Sequence, residues 1–370
     1  MKIAVLTSSR ADYGIYFPLL EKIKNDSFFD LEVICFGTHC SKAHGYTLSK
    51  VKSHGYKKIH EISALIANDN AVSISSSYGL TTLKFAEFWE HNHEYEMVFC
   101  LGDRFEMSAA VQAGIPFGIK FVHLYGGDTT LGAIDDIYRN QITLASFLHF
   151  TATEDHSKKI QKITNQVENI FTIGTISLNE IASFKPVSKK DLLTEYNIPV
   201  DDYVLVTFHP ETIATEENEL YAEEMKVSLL KIAESSNVVV TMPNADTMGS
   251  LYRDKLFETR SNKPDKIFLV ENFGKKNYFS AMYHAKLLIG NTSSGIVEAA
   301  SFGKLTVNVG DRQKGRAQSD NVLNATFNSV DILDKYNEAV KRGTYYGDNV
   351  YYRHNSVESI IRILKKYKNN

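Results

Sequence analysis

The sequence predicts an α/β protein of two doubly wound domains, each a parallel sheet with helices on both faces. Two observations carry that expectation. Short β-rich runs alternate with helix-compatible segments along the chain, and consecutive parallel strands require such crossover helices. The chain has 370 residues, beyond the size at which one core keeps growing, and a polar stretch divides the βα units into two series.

The first series opens with KIAVLT (2–7), a helix near Tyr13–Lys24 and LEVICFGTH (31–39). A region reaching to about Trp89 follows, then MVFCLGD (97–103), a helix near Phe105–Ala113 and FVHLYGG (121–127). LHFTATED (148–155) and NIFTIGT (169–175) continue it. The polar segment FKPVSKKDLLTEYN (184–197) intervenes, which places a hinge near Thr175–Pro186. The second series runs YVLVTFHP (203–210), a helix near Glu216–Glu234, NVVVTMPN (237–244) and IFLVEN (267–272). A helix near Lys276–His284, LLIGN (287–291), a helix near Gly295–Ser301 and KLTVNVGD (304–311) complete it. The expected domains are 1–176 and 177–355, with a C-terminal helix over 356–370 packing back on the first.

Apolar residues make up 43% of the chain, ample for two cores, and the formal charge is −3. Without a basic field, an anionic ligand must be held by local groups, and nucleic acid is not an expected partner. Cys35, Cys40 and Cys100 show no CxxC spacing. Cys35 and Cys100 lie in apolar strand-like runs and read as buried free thiols. The apolar run in MKIAVLTSSRADYG is too short for a secretion signal, and no segment reaches membrane-spanning length. A soluble cytoplasmic protein with no membrane contact is expected. The histidines lack paired ligand spacing, so no metal is expected.

In open α/β sheets ligands sit beyond the carboxyl ends of the strands, and nearly all the polar signatures fall there. SSRADYG (8–14) follows the first strand where a dinucleotide fold would carry GxGxxG. Those glycines are absent, which disfavours NAD; Arg10 is either a phosphate contact or an ordinary loop arginine. LGDRFE (101–106) sets Asp103 at a strand end, as a working carboxylate or as a cap or ion-pair partner. HLYGGDTTLGAIDDIYRNQIT (123–143) gathers Asp128, Asp135, Asp136 and Arg139 behind two glycines. There Asp136 and Arg139 read equally as a helix-start pair.

In the second series GNTSSGIVEAASFG (290–303) has the pattern of an anion site and, taken alone, reads equally as a well-capped helix. Ser293 and Ser294 can cap a helix, Gly295 permits close backbone approach, and the free N–H groups of the first turn favour a diphosphate. Glu298, one turn on, can accept hydrogen bonds from vicinal ribose hydroxyls. VGDRQKGR (309–316) offers Arg312 and Arg316 as further positive charge. FHPET (208–212) offers His209 either as a donor to a leaving phosphate or as a structural histidine, and MPNADT (242–247) offers Asn244 and Asp246 to orient polar sugar groups.

Taken in order from Lys2 to about Arg316, these motifs resemble the hydrolysing UDP-N-acetylglucosamine 2-epimerases of the sialic acid pathway. The resemblance implies a GT-B architecture, two Rossmann-like doubly wound domains with the active site in the cleft between them. It implies Asp103, Asp128 and Asp135 as catalytic carboxylates. As substrate-binding residues it implies Arg10, Ala11, His44, Arg139, His209, Asn244, Asp246, Asn291, Ser293, Ser294, Gly295, Glu298, Arg312 and Arg316. His44 and His123 border the same first-domain face, each as a contact to sugar hydroxyls or as a structural residue. No cofactor is implied; the partners are a UDP-sugar and product UDP, with assembly as a homodimer or homotetramer.

The related non-hydrolysing enzymes usually carry GTRPE at the first turn and an HRREN-like motif where this chain has FHPET. The departures from the hydrolysing pattern are Thr7–Ser8–Ser9–Arg10–Ala11 for TGSRA, Asp128 for the Glu of GGE, and Asn140 for the His of RHAIT or RHSIT. The implied reaction is anti-elimination of UDP to a 2-acetamidoglucal, then addition of water at C1 and of a proton at C2 from the opposite face. It needs acid and base groups on both sides of the ring, with like-charge crowding raising at least one carboxyl pKa. UDP-N-acetylglucosamine is the expected substrate. UDP-diacetylbacillosamine, in a legionaminic acid pathway, is an alternative that the Asp128 and Asn140 departures motivate. A GT-B glycosyltransferase and a non-catalytic nucleotide-sugar sensor are the readings from other classes.

Overall fold

The computed structural model describes all residues except 43–45, 67–69, 130, 132–133, 212–214, 244–248 and 369–370. The chain divides into two compact units. Unit 1 comprises Met1–Asp128, Ala133–Asn179 and Tyr352–Asn370; unit 2 comprises Thr129–Gly132 and Glu180–Tyr351. A single cut at 176 therefore misses one short excursion, residues 129–132. Within unit 2, Leu131 N donates to the Lys314 carbonyl at 3.4 Å.

Unit 1 contains β1 (Lys2–Thr7), α1 (Arg10–Lys24), β2 (Asp30–Phe36), α2 (Leu48–Ser53), β3 (Lys58–Ile62) and α3 (Ala71–His91). These are followed by β4 (Met97–Leu101), α4 (Phe105–Gly114), β5 (Phe121–Leu124), α5 (Asp135–Ala145), β6 (Ser146–Thr151), α6 (Glu154–Thr164) and β7 (Ile170–Thr172). The strands form one parallel sheet in the order β3-β2-β1-β4-β5-β6-β7. Helices cover both faces, so successive residues of one strand serve different cores. Ile3 and Val5 join one cluster, and Ala4 and Leu6 the other.

Strand order reverses between β1 and β4, which are neighbours although two strands separate them in sequence. Their carboxyl ends thus flank the switch point where α/β sheets bind ligands. The turn after β1 is held by Asp12, which accepts from Thr7 Oγ1 at 2.8 Å, Ser8 N at 2.8 Å and Ser9 N at 2.9 Å. Ser9 caps the helix in return through Asp12 N. This reciprocal S-x-x-D box starts α1 at Arg10, earlier than the expected Tyr13.

Unit 2 contains α7 (Lys189–Glu195), β8 (Tyr203–Thr207), α8 (Asn218–Ile232), β9 (Asn237–Thr241), α9 (Gly249–Asn262) and β10 (Ile267–Val270). It continues with α10 (Gly274–His284), β11 (Leu288–Gly290), α11 (Ser293–Val297), β12 (Thr306–Val309), β13 (Val322–Ala325) and α12 (Ser329–Arg342). Its parallel sheet runs β10-β9-β8-β11-β12-β13, with the reversal between β8 and β11. β13 and α12 lie beyond the series read from sequence. As an edge strand, β13 buries only alternate residues and shows no apolar run.

The last helix, α13 (Ser356–Lys368), belongs to unit 1. Val357, Ile360, Ile361 and Leu364 share one face at i, i+3, i+4 and i+7, and cluster with Tyr16, Leu19, Leu20 and Ile23 of α1.

At the opposite side of unit 1, β2 buries a carboxylate. Glu32 accepts from Tyr95 Oη at 2.5 Å and His60 Nε2 at 2.7 Å, with Lys58 and Lys2 Nζ at 3.2 and 3.3 Å. Burial opposes its ionisation, but the four donors prevail and hold its pKa down at about 2. A depressed carboxyl pKa stabilises the fold above its unfolded value, and that contribution disappears as pH falls through the folded one. Glu32→Gln is expected to lower stability at pH 7 by about 1–3 kcal/mol. Thermal melts should show the variant losing less than the parent between pH 4.5 and about 2; parallel loss would remove Glu32 from the acid response.

Candidate active site

In unit 1 the turns after β4 and β5 and the start of α5 meet on one guanidinium. Arg139, its side chain 2% exposed, forms ion pairs with Asp103 after β4 and Asp136 in its own helix. Its Nη1 also donates to the Asp128 carbonyl at 3.0 Å. The two glycines before Asp128 have a packing cause. A Cβ on Gly127, whose φ is +79°, would lie 2.3 Å from the His156 carbonyl oxygen. A Cβ on Gly126 would lie 2.8 Å from His123 Nδ1. The chain can therefore deliver Asp128 to this place only through residues without side chains.

Asp135 begins α5, and its carboxyl pKa is raised, first by burial and then by the negative charge of Asp103. The expectation put like-charge crowding first; withdrawal from water leads instead. Arg104 makes two hydrogen bonds to Glu106, at 2.7 and 3.2 Å, with Glu106 1% exposed. Asp103 thus pairs with Arg139. His123 is buried, with Nε2 donating to the Gly102 carbonyl at 2.9 Å and Nδ1 3.2 Å from Thr143 Oγ1. Burial pushes its pKa down to about 3, so it is a neutral brace for the β4 turn and not a sugar contact.

Arg10 and Ala11 are the first two residues of α1, both exposed at the β1 end. Arg139, expected to bind substrate, is spent on the protein's own carboxylates: two acids and a carbonyl already surround its buried head. His44, Asn244 and Asp246 lie outside the described residues.

In unit 2 the corresponding place is the paired ends of β8 and β11. His209 N donates to Asn291 Oδ1 at 2.7 Å, and Asn291 Nδ2 donates back to the His209 carbonyl at 2.8 Å. The Asn291 carbonyl accepts from Gln313 Nε2 at 2.9 Å and Arg312 Nη1 at 3.4 Å. Asn291 is therefore a fully buried clamp between strand ends, and its amide is not presented to a ligand. Arg312 N also donates to Glu211 Oε1 at 3.1 Å. Glu211 is buried, and burial raises its carboxyl pKa against the opposing pull of Arg312.

The cap of α11 is Thr292, whose Oγ1 accepts from Ser294 N at 3.5 Å. Ser293 and Ser294 are instead the first two helical residues, one exposed and one half-buried. Gly295 also has a different reason from the expected one. A Cβ there would lie 2.6 Å from Thr306 Cγ2, so the glycine lets the helix sit on β12. Glu298 follows the last turn, half-buried, and Arg316 is half-buried in the turn that carries Arg312.

Comparison with known proteins bears on this arrangement. The family model described as UDP-N-acetylglucosamine 2-epimerase matches residues 21–365. The chain belongs to that family. Its curated relatives include a Campylobacter jejuni GDP/UDP-N,N'-diacetylbacillosamine 2-epimerase (hydrolyzing), 33% identical over 89% of this chain and 85% of that one. A Legionella pneumophila UDP-N,N'-diacetylbacillosamine 2-epimerase (hydrolyzing) is 30% identical over 98% and 95%. Among solved structures, the UDP-GlcNAc 2-epimerase of Neisseria meningitidis bound to UDP-GlcNAc superposes with a TM-score of 0.78, covering 99% of this chain and 100% of that one at 16% identity. The GT-B-like fold class of these enzymes is thus the fold class of this chain, and its relatives make it a UDP-sugar 2-epimerase.

Several residues escaped the sequence reading. The Ser9–Asp12 box and the Thr292 cap had local signals, a capping residue before each helix. Glu106, Glu211, His156 and Lys159 had none, because their importance comes from neighbours distant in sequence. If Arg139 is the organiser described, Arg139→Leu leaves Asp103 and Asp136 without their cation. Loss of one partner of a buried pair costs about 3–5 kcal/mol, and about 1–3 here, where the two acids are 31% and 24% exposed. Calorimetry should show a melting point several degrees lower; an unchanged melting point would mean the three groups are held by something else.

Proposed function

We propose that this chain is a hydrolysing 2-epimerase, which converts a UDP-2-acetamido sugar and water to the free C2-epimer and UDP. The observation that supports it is the meeting of the Asp103 carboxylate and the Asp128 carbonyl on the Arg139 guanidinium, with Asp135 near enough for its charge to interact with both Asp103 and Arg139. One carboxylate removes the C2 hydrogen as a proton, the C1–O bond to UDP breaks, and the electron pair becomes the C1–C2 double bond of the glycal. Water then adds at C1, and a solvent-derived proton enters C2 from the other face, so every atom is accounted for by one water and one UDP. Asp135, raised by burial, is suited to the protonated role.

Unit 2 contributes the nucleotide groups. Arg312 and Arg316 offset diphosphate charge, Ser294 and the neighbouring main chain donate to it, His209 stands at the leaving phosphate, and Glu298 takes the ribose hydroxyls. Among sugars, UDP-diacetylbacillosamine comes first in this reading, because the Campylobacter and Legionella relatives that share 33% and 30% identity carry that name. UDP-N-acetylglucosamine, for a sialic acid pathway, is the second reading; the family description favours it. A cytoplasmic homodimer or homotetramer fits both.

Incubation with each sugar nucleotide in D₂O, followed by proton NMR, tests the reaction. The expected result is free UDP and a C2-epimerised sugar carrying deuterium at C2; retention of the original hydrogen defeats the elimination route, and turnover of neither sugar defeats the function. Asp103→Asn, Asp128→Asn and Asp135→Asn should each lower kcat by roughly 10²-fold or more with UDP affinity nearly unchanged. In titration calorimetry Ser294→Ala, Glu298→Ala and Arg312→Ala should each weaken UDP binding by about 1–3 kcal/mol. Normal UDP affinity in all three folded variants would remove the nucleotide from unit 2.

A further inference from the structure

α6 shapes the environment of Asp128 in a way that no motif announces. His156 lies in its first turn, with N donating to the Thr153 cap at 3.3 Å and a side chain 6% exposed. Its Nε2 stands 3.5 Å from Asp128 Oδ1. One turn along, Lys159 Nζ donates to the Asp128 carbonyl at 3.0 Å, beside the Arg139 bond to the same oxygen. Gly127, immediately before the acid, is seated against the His156 carbonyl. The main chain of Asp128 is therefore held from both sides, by α5 and by α6. Against one oxygen of its carboxylate, Oδ1, stands the His156 imidazole.

We propose that His156 is a positioning residue for Asp128: it engages Oδ1 and so directs Oδ2 to the reacting sugar. This rests on the epimerase reading above. A donor at one oxygen removes the rotational freedom of a carboxylate, and a misplacement of about 1 Å at a proton-transfer group costs up to 10²-fold in rate. The pairing also accounts for the shorter acid. Related enzymes usually carry Glu at this position, and a carboxylate one methylene longer would have to share its space with the His156 ring, whose Nε2 already stands 3.5 Å from Oδ1. Residues 128 and 156 are thus a matched pair, and a change at one alters what is tolerated at the other.

The test uses the full chain, with turnover of UDP-diacetylbacillosamine and UDP-N-acetylglucosamine by the parent protein measured first. If the parent turns over neither, the epimerase reading falls and this inference falls with it. With an active parent, His156→Leu should lower kcat at least tenfold, with KM within about threefold and the melting point within a few degrees, the pattern of lost positioning. His156→Gln, which keeps an N–H donor, should recover most of that loss. Asp128→Glu should be impaired, and Asp128→Glu/His156→Ala, with room for the longer side chain, should be faster than Asp128→Glu alone. The proposal is overturned if His156→Leu keeps kcat within about twofold. It is equally overturned if kcat and melting point fall together in both His156→Leu and His156→Gln, or if the double variant is no faster than Asp128→Glu.

Discussion

The unit 1 site depends on one buried guanidinium. Arg139 is surrounded by Asp103, Asp136 and the Asp128 carbonyl, groups that reach it from three different stretches of chain. Several carboxylates cannot be crowded at strand ends without a cation among them, because each added negative charge raises the energy of the rest. A planar head with five donors can face several acceptors at fixed angles, which an ammonium cannot. Such a pair contributes little net stability once desolvation is counted, so its value here lies in geometry. It also leaves Asp135, which burial and Asp103 push upward, as the acid of the group that is driven toward its protonated form.

Unit 2 solves a related problem with a neutral clamp. The Asn291 side chain makes a two-way amide pair with the backbone of His209, and its carbonyl receives Gln313 and Arg312. Turns after β8, β11 and β12 are thereby tied together through an uncharged side chain. Gly290 completes the arrangement: its φ is +140°, and a Cβ there would fall 1.8 Å from the Thr207 carbonyl. In both units the residues nearest the switch point of the sheet hold other protein groups, Asp103 through Arg139 and His209 through Asn291. Positions held by such a rigid layer can be accurate without being strained.

How much of this was legible beforehand differs by element. The runs KIAVLT and YVLVTFHP, buried on both faces, declared themselves as central parallel strands. The edge strands β3 and β13 did not, since β13 buries only alternate residues and β3 buries only Ile62, which leaves little apolar signal. Asp103 and Asp128, which follow strands, and Asp135, which opens α5, stood out as candidates because polar residues have little structural reason to collect there. Arg139 and Asn291 were visible too, but with the wrong purpose: a charged or amide side chain at a strand end looks the same in sequence whether it meets a ligand or a neighbour's backbone.

By itself the sequence determined the alternation of strands and helices, the two series of βα units and the family motifs, all of which depend on residues close together in the chain. Only the tertiary structure decided that Arg139 faces inward, that Gly295 serves Thr306, that Thr292 and not Ser293 caps α11, and that His156 stands beside Asp128. The physical reason is the range of the interaction. Propensity, periodicity and capping act over a few residues, whereas burial, ion pairing and steric exclusion are set by groups far apart in the chain, 36 positions for Arg139 and Asp103. No local pattern records which of two polar residues will be closed in by the other's arrival.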